Sequence, residues 1–226
     1  MNVLCVVAHP DDEVIGVGGT LAKHATEGDD VHVAILSDGV TSRHETITDE
    51  AQAEIDERRE RAERACTHLG ASVSFHTFPD QEFDTVPLID LVQTVEDEID
   101  SHRPEVVYTH HHGDLNIDHE LTCRAVMTAA RPQTSSPVHR VYGFETLSST
   151  EWATPEPSTV FQPTSFQDVS DTLKTKMEAL REYERELRDP PHPRSEKTIE
   201  QNAAVWGAKV GVDAAEPFVL LREVRR

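Results

Sequence analysis

Short apolar runs rich in β-branched residues alternate with longer, charged amphipathic segments over the first two thirds of the chain. The short runs have the length and composition of strands, and the longer segments have the apolar spacing of helices. The predicted strands are 3–8, 30–36, 72–78, 105–111 and 138–144, and the predicted helices lie around 13–27, 48–69, 86–101 and 118–131. This alternation indicates an α/β fold, in which a mostly parallel sheet carries helices on both faces.

The pattern becomes less regular after residue 144. Segment 146–168 contains three prolines and many hydroxyl residues, which predicts a loop. Two helices near 169–188 and 195–210 and a last strand over 217–224 are predicted to follow. Neither an internal repeat nor a second apolar core is visible in the sequence, so we predict one domain over residues 1–226.

The composition is strongly acidic, with 42 Asp and Glu against 21 Lys and Arg and a formal net charge of −21. Such a surface repels nucleic acids and anionic membranes, so we expect neither as a partner. Because the acids are spread along whole helices, they predict a solvated acidic surface of the kind that high internal salt tolerates. We therefore expect a halophilic protein, which is an inference about its environment.

Cysteine usage and the N-terminal sequence indicate a reducing compartment. The three cysteines are scattered and form no C-x-x-C pair, which argues against a disulfide framework and against a cysteine zinc site. The N-terminus lacks the basic start of a secretory signal, and no apolar run approaches the ~20 residues of a membrane span. We expect a cytoplasmic protein with no membrane span.

Polar residues gather where the predicted parallel strands end. The first strand is followed by residues 9–13, HPDDE, the second by 37–39, SDG, and the third by 79–80, PD. The fourth is followed by 110–114, HHHGD, and by 116–119, NIDH. In open α/β sheets, ligands bind in the crevice beyond the carboxyl ends of the strands. The sequence therefore predicts a functional site at this edge of the sheet.

The residue types at this edge are those of a metal centre. If a helix begins near Pro10, His9 and Asp12 lie about one turn apart and can face one point. His119 from the fourth strand end completes a His₂Asp ligand set, which leaves a catalytic zinc ion one position for water. Asp11 points elsewhere and can act as general base, since a bound divalent cation lowers the pKa of water towards ~7. The cation also compensates the clustered carboxylates.

Each part of this pattern has a simpler structural interpretation. A lone H-x-x-D arises by chance, and the histidines at 110–112 can be a polar strand end. Gly16, Gly18 and Gly19 lack the spacing of a nucleotide-binding loop, and close packing of helix on sheet accounts for them better. The occurrence of ligand types at two separate strand ends is what favours a metal site.

The motif A-H-P-D-D-E after the first strand, with D-x-N-x-D-H at 114–119, resembles the LmbE-like (PIG-L) family of zinc-dependent de-N-acetylases. Segments 58–70, 78–80 and 215–222 are also similar to family landmarks. The resemblance implies a Rossmann-like α/β fold and removal of acetyl groups from N-acetylglucosamine-type sugars or their conjugates. It also implies one zinc ion per chain and favours a homo-oligomer.

The resemblance also assigns roles to individual residues. His9, Asp12 and His119 match the metal ligands, and Asp11 matches the general base. Arg58 matches an arginine that faces the substrate, and Asp80 matches an aspartate expected near sugar hydroxyls. The simpler interpretations are a solvated helix residue for Arg58 and a turn residue for Asp80.

One position departs from the family pattern. Where many members have a histidine that stabilises the oxyanion or protonates the leaving amine, this chain has Asn116. Asparagine donates a hydrogen bond but cannot act as an acid near pH 7. The proton must then come from Asp11, from His111 or His112, or from His192, which is the preferred outside candidate.

Substrate-binding roles are also predicted for two residues of these segments. Arg194 follows His192 in the segment PPHPRS, and we take Arg194 and His111 as substrate-binding candidates. The catalytic candidates are Asp11, Asn116 and His192.

Three functions of different classes remain open. The first is a zinc amidohydrolase acting on a small N-acetylated sugar, and the second is a magnesium-dependent phosphoryl-transfer enzyme. Two histidine ligands and the absence of a phosphate-binding loop argue against the second. The third is a non-catalytic sugar- or metal-binding module, which Asn116 favours and the intact Asp11 disfavours.

Overall fold

A seven-stranded sheet organises the computed structural model, which describes residues 1–43, 48–133 and 136–225. The strand order is β3-β2-β1-β4-β5-β7-β6. The strands are β1 Asn2–Val7, β2 Asp30–Ser37, β3 Ser72–Phe78, β4 Val106–His110, β5 Arg140–Phe144, β6 Ser165–Asp168 and β7 Ala215–Glu223. β7 pairs antiparallel with both β5 and β6, whereas β1 to β5 pair in parallel.

Helices cover both faces of this sheet. They are α1 Asp12–Thr26, α2 Asp49–Leu69, α3 Leu88–His102, α4 Ile117–Ala129, α5 Leu173–Glu182 and α6 Glu196–Val210. Alternate residues of the buried strands enter two apolar cores, one against α1, α2 and α5 and the other against α3 and α4. Val3, Cys5 and Val7 face the first core, and Leu4 and Val6 face the second. The predicted α/β fold is confirmed.

The helix ends follow local signals in the sequence. The Thr48 side chain accepts a hydrogen bond from the Ala51 amide at 3.2 Å and so caps α2. The Ser195 side chain caps α6 in the same way through the Thr198 amide, also at 3.2 Å. Helix α2 ends at Gly70, whose φ of 72° lies in the left-handed region that glycine adopts without strain.

The C-terminal third differs from the prediction in two respects. Segment 146–168, predicted as a loop, contains the short strand β6 and a 3₁₀ turn over Thr150–Trp152. Helix α5 covers Leu173–Glu182 only, whereas 169–188 was predicted. The last strand runs against its neighbours, and pairing with that strand holds the polar segment Ser165–Asp168 in the sheet.

The glycines after the acidic motif serve close packing, as predicted. A Cβ atom on Gly16 would lie 2.2 Å from Phe144 Cδ2, and one on Gly19 would lie 2.9 Å from Val169 Cβ. The absence of a side chain at both positions therefore lets α1 approach the residues that pack against it. Their role in the structure is steric.

The strand order sets the location of the site. In the sheet, β1 lies between β2 and β4. The chain passes from β1 to β2 and β3 on one side and then returns to β4 on the other side, so the connections diverge between β1 and β4. Val6 of β1 pairs with Thr109 of β4, which brings the residues after both strands to one edge. This topological switch point is where open α/β sheets bind ligands.

Within the part of the chain that the structure describes, none of the helices combines the length and apolar character needed to cross a lipid bilayer.

Candidate metal centre and cleft

Three predicted ligands converge at the switch point. Asp12 Oδ2 lies 3.3 Å from His9 Nδ1 and 3.3 Å from His119 Nε2. All three residues are buried, and their ligand atoms lie within 4.8 Å of one another. His9 comes from the turn after β1, Asp12 begins α1, and His119 lies in the first turn of α4. The structure thus brings together side chains more than a hundred positions apart in the sequence.

Two carboxylates orient the histidine rings. Asp118 Oδ2 lies 3.0 Å from His9 Nε2, and it also accepts the Gln81 amide at 2.7 Å. Asp114 Oδ1 lies 3.1 Å from His119 Nδ1. A proton on the nitrogen that faces each carboxylate would leave the opposite nitrogen of each ring free to bind a metal ion beside Asp12. This is the arrangement that metal-binding histidines adopt.

A tetrahedral zinc ion fits this set of residues. Zinc–ligand bonds of about 2.0–2.2 Å place neighbouring ligand atoms roughly 3.3–3.6 Å apart. The two ligand contacts of Asp12 Oδ2 match this separation. Asp12 Oδ1 and both ring nitrogens of His119 are also buried without a hydrogen-bond partner, which is costly in the absence of a cation. The donor set of two imidazoles and one carboxylate is that of catalytic zinc sites.

The carboxylates of the centre favour a positive charge beside them. Burial opposes the charged form of His119, but Asp12 and Asp114 outweigh it and raise its pKa to about 9. His110, which stacks on His119 at 3.9 Å, has its pKa lowered to about 3 by burial and by that neighbour. Its Nε2 accepts the Ala8 amide at 2.9 Å, so the ring is a neutral wall of the centre.

Asp11 occupies a separate position beside the ligands. It adopts a φ of 110°, a strained value for a residue other than glycine. The buried Glu13 carboxylate accepts the Asp11 amide at 3.0 Å and the Tyr183 hydroxyl at 2.6 Å, which holds this turn in place. Asp11 Oδ2 accepts a hydrogen bond from Arg194 Nη1 at 3.0 Å. Burial raises the pKa of Asp11, and Arg194 opposes this increase.

Arg58 and Asp80 also reach the site. Arg58 donates to the carbonyl oxygens of Gly39 at 2.9 Å and Pro10 at 3.0 Å, and it pairs with Glu186 at 3.2 Å. Its guanidinium therefore supports the turn that carries Asp11. Asp80 Oδ1 lies 3.2 Å from His9 Nε2, and Asp80 Oδ2 accepts the Ser42 hydroxyl. Although burial acts in the opposite direction, His9 and Ser42 lower the pKa of Asp80 to about 2.

Asn116 is the N-cap of α4. Its side-chain oxygen accepts the Asp118 amide at 2.9 Å, so the nitrogen is the end of this side chain that can donate to a ligand. The cap also fixes the first turn of α4, in which both Asp118 and His119 lie.

An open cleft of about 200 Å³ lies beside the centre. Its wall is formed mainly by polar side chains, among them His9, Asp80, Asn116 and Arg194. Asp11 and Arg58 line it as well. The cleft therefore suits a small polar molecule with several hydrogen-bonding groups.

Two of the residues predicted as catalytic or substrate-binding do not line this cleft. His111 Nε2 donates to the Thr159 carbonyl oxygen at 2.7 Å, so this side chain holds segment 146–168 against the end of β4. His192 packs edge-on against Trp152 with ring centroids 5.8 Å apart, and its Nδ1 accepts the Arg194 amide at 3.0 Å. His192 therefore places the backbone of Arg194, which does line the cleft.

Three residues of the centre received no role from the sequence. Asp114 and Asp118 lie within the D-x-N-x-D-H motif, and their adjacency to a ligand on one helical turn is the signal that could have identified them. Tyr183 gave no signal, because its contact with Glu13 joins positions 170 residues apart.

A model of the family described as PIG-L: GlcNAc-PI de-N-acetylase matches residues 4–130. The uncharacterized deacetylase YaiS of Escherichia coli (strain K12) is 28% identical over 189 residues, which cover 80% of this chain and 90% of that protein. The 4-oxalmesaconate hydratase of Pseudomonas putida KT2440 is 30% identical over 192 residues, which cover 79% of this chain and 71% of that protein.

The fold is shared with a solved deacetylase. The N,N'-diacetylchitobiose deacetylase from Pyrococcus horikoshii superposes with a TM-score of 0.77 at 21% identity. The superposition covers 98% of this chain and 84% of that one. At this level of identity the similarity concerns the fold, including the sheet that carries the site.

Proposed function

Because this chain belongs to the PIG-L de-N-acetylase family, we propose that it is a zinc-dependent hydrolase that removes an acetyl group from an N-acetylglucosamine-type amino sugar or its conjugate. Membership confirms the predicted family, and with it the predicted enzyme class, a deacetylase acting on C–N bonds other than peptide bonds. The observation that carries the proposal is the convergence of His9, Asp12 and His119 beside Asp11.

The residues of the site have different roles in the proposed reaction. His9, Asp12 and His119 hold the zinc ion, which when bound makes a water molecule more acidic and polarises the acetyl carbonyl. Asp11 accepts the proton of the attacking water, and its raised pKa suits it to both accept and return a proton. Arg194 keeps the Asp11 carboxylate oriented through its 3.0 Å contact.

Asn116 and Asp11 complete the reaction. The Asn116 amide nitrogen donates a hydrogen bond to the carbonyl oxygen as that oxygen gains charge. The C–N bond then breaks, acetate leaves with the oxygen of the water, and Asp11 passes its proton to the amine. His192 serves through the placement of Arg194, since its Nδ1 is already used by the Arg194 amide.

The polar cleft favours a sugar as the substrate. Asp80 and Arg58 line the cleft, where they can meet ring hydroxyls, and the acidic surface disfavours a substrate with several phosphates. The amino sugar can be free or conjugated.

A second candidate, hydration of a carbon–carbon double bond, is favoured by the 30% identity to the 4-oxalmesaconate hydratase. Its substrate is a polycarboxylate by name and requires cationic groups that are free to bind it. In this chain Arg58 and Arg194 are already bound to Glu186 and Asp11. Deacetylation is therefore the better match.

The test measures acetate released from a panel of N-acetylated sugars and conjugates, in concentrated potassium chloride, with and without a chelator. We expect release that the chelator abolishes and zinc restores. Asp11→Asn lowers kcat about 10²–10⁴-fold while the zinc content stays unchanged, as expected for loss of a general base. Asparagine tolerates a positive φ better than most residues, so this variant keeps the turn.

Asp213→Asn is the matched control, because Asp213 is exposed and remote from the cleft. Chelator-resistant acetate release, or full activity in Asp11→Asn, contradicts the proposal. Loss of 4-oxalmesaconate absorbance without any acetate release establishes the hydratase in its place.

A further inference from the structure

A second cluster of metal-binding side chains lies at the opposite edge of the sheet. His32 lies near the start of β2, and Glu98 and His102 lie one turn apart at the end of α3. His76 of β3 completes the cluster. We propose that this cluster is a second site for a divalent transition-metal ion, which takes His32, Glu98 and His102 as ligands.

Glu98 is a buried carboxylate with only histidines as ionic partners. It is 7% exposed, and the ion pairs recorded for it join it to His32, His76 and His102. A buried carboxylate requires compensation by a proton or a cation. In the described part of the chain, neither lysine nor arginine lies within ion-pair distance of Glu98.

Hydrogen bonds leave one oxygen of Glu98 available. Oε1 accepts the Ser74 hydroxyl at 2.8 Å and lies 2.7 Å from His76 Nε2. The contacts of Oε2 are longer, at 3.4 Å to His32 Nε2 and 3.4 Å to His102 Nε2. Ser74 and His76 therefore orient the carboxylate, and Oε2 faces the two remaining imidazoles.

Both ring nitrogens of His32 have serine partners, and Nε2 also lies 3.4 Å from Glu98 Oε2. The Ser72 hydroxyl donates to the Val31 carbonyl at 3.3 Å, so it accepts from His32 Nδ1, which lies 2.8 Å away. His32 Nε2 lies 2.9 Å from the Ser74 hydroxyl, which donates to Glu98 Oε1, so a metal ion must displace this contact to reach Nε2. The hydrogen bond from Nδ1 to Ser72 is of the kind that usually supports a metal-binding histidine.

The spacing is close to that of the candidate centre at the switch point. Two ligand contacts of 3.4 Å fall within the roughly 3.3–3.6 Å that a tetrahedral zinc ion imposes on neighbouring ligand atoms. The ligand atoms of His32, Glu98 and His102 all lie within 4.8 Å of one another. Two imidazoles and one carboxylate favour Zn²⁺ or a similar first-row ion over Mg²⁺ or Ca²⁺.

Binding requires one movement. The rings of His32 and His102 stack at 3.6 Å with an interplanar angle of 13°, so one ring must turn for both lone pairs to meet a single ion. The side chain of His102 is 33% exposed and has room to turn, whereas that of His32 is 8% exposed and hydrogen-bonded. The exposed edge of His102 also admits the ion from solvent.

The experiment counts zinc bound per chain after equilibration with buffered zinc in concentrated potassium chloride, which suppresses weak binding to the acidic surface. We expect two zinc ions in the unmodified protein, one in His102→Gln and one in His119→Gln. Acetate release is unchanged in His102→Gln and lost in His119→Gln. In the His119→Gln background, we expect added zinc to raise Tm and added Co²⁺ to show a tetrahedral absorption band. Adding His102→Gln to this variant removes both signals.

His68→Gln is the matched control, because His68 is a helical histidine paired with the single carboxylate of Glu182. It must retain both ions. The absence of zinc from His119→Gln, or an equal count in His102→Gln and the unmodified protein, overturns the proposal. Since this count does not use activity, the result is independent of the proposed deacetylation.

Discussion

Asp118 illustrates how much of the centre depends on one side chain. Its Oδ1 accepts the Phe83 amide at 3.0 Å, and its Oδ2 accepts the Gln81 amide at 2.7 Å and lies 3.0 Å from His9. Asp118 thus connects the segment after β3 to the imidazole ring of His9, which follows β1 in the sequence. Because it carries no proton in the reaction, its contribution is the orientation of His9.

We therefore predict that Asp118→Asn weakens zinc binding at the catalytic centre about 10–100-fold, the usual cost of losing a carboxylate behind a metal-binding histidine. An amide in this position can present its NH₂ group to His9, which disfavours a proton on Nε2. Competition with a chromophoric chelator measures the affinity.

The control for this variant is Asp84→Asn, an exposed aspartate in the neighbouring 3₁₀ turn. It should leave zinc affinity unchanged. Equal affinities in Asp118→Asn and the unmodified protein show that His9 is oriented without Asp118.

At the scale of elements, segments without regular structure are held by specific contacts. The hydroxyls of Ser149 and Thr150 donate to Asp114, which in turn lies behind His119. Arg194 Nε donates to the Ser148 hydroxyl at 2.7 Å. Segment 146–168 therefore supports the candidate metal centre. In a comparable way, Glu98 joins α3 to β2 and to the edge strand β3.

The contacts of Glu98 on α3 predict how the stability of the protein changes at acid pH. Burial alone would raise the pKa of Glu98, but hydrogen bonds from His32, His76 and Ser74 hold it well below its ordinary value. A carboxylate with a lowered pKa stabilises the folded state above its unfolded pKa of about 4.3 and loses this contribution as the pH falls. The unmodified protein should therefore lose unfolding free energy more steeply below about pH 4.5 than Glu98→Gln does.

Chemical denaturation in the presence of a chelator, from neutral pH down to pH 3, measures this difference without metal. Glu96→Gln is the control on the same helix, since Glu96 is more exposed and pairs with Arg131 at 3.4 Å. Parallel pH profiles for the unmodified protein and Glu98→Gln rule out a stabilising role for the Glu98 charge.

At the scale of the whole molecule, the net charge of −21 is the dominant feature. Its acids lie on exposed helix faces, whereas the buried carboxylates of the site have partners. Self-repulsion of the surface therefore opposes folding at low ionic strength, and screening relieves it. The halophilic character inferred from composition stays a prediction.

We predict that Tm rises steeply between 0.1 M and 1 M potassium chloride, over which the Debye length falls from about 10 Å to about 3 Å. A variant with amides at four exposed acids on four helices, Glu63, Asp97, Glu120 and Glu200, should be more stable at low salt. It should also gain less from added salt. Thermal unfolding followed by circular dichroism gives both values, and a Tm independent of salt in the unmodified protein contradicts the prediction.

The sequence alone determined the order of strands and helices up to residue 144, because apolar periodicity is a local property that burial on two faces imposes directly. It also predicted that His9, Asp12 and His119 meet at one edge, since ligand residue types follow two strand ends that a parallel sheet brings together.

Only the tertiary structure decided the rest. β6 is polar and short, and its pairing with β7 holds it in place, which no local pattern encodes. His111 and His192 face segment 146–168 and Trp152 instead of the cleft, because side-chain direction depends on packing between distant segments. The contacts of Tyr183 with Glu13, and of His32 with Glu98 and His102, arise in the same way, from residues that meet only when the sheet and its helices assemble.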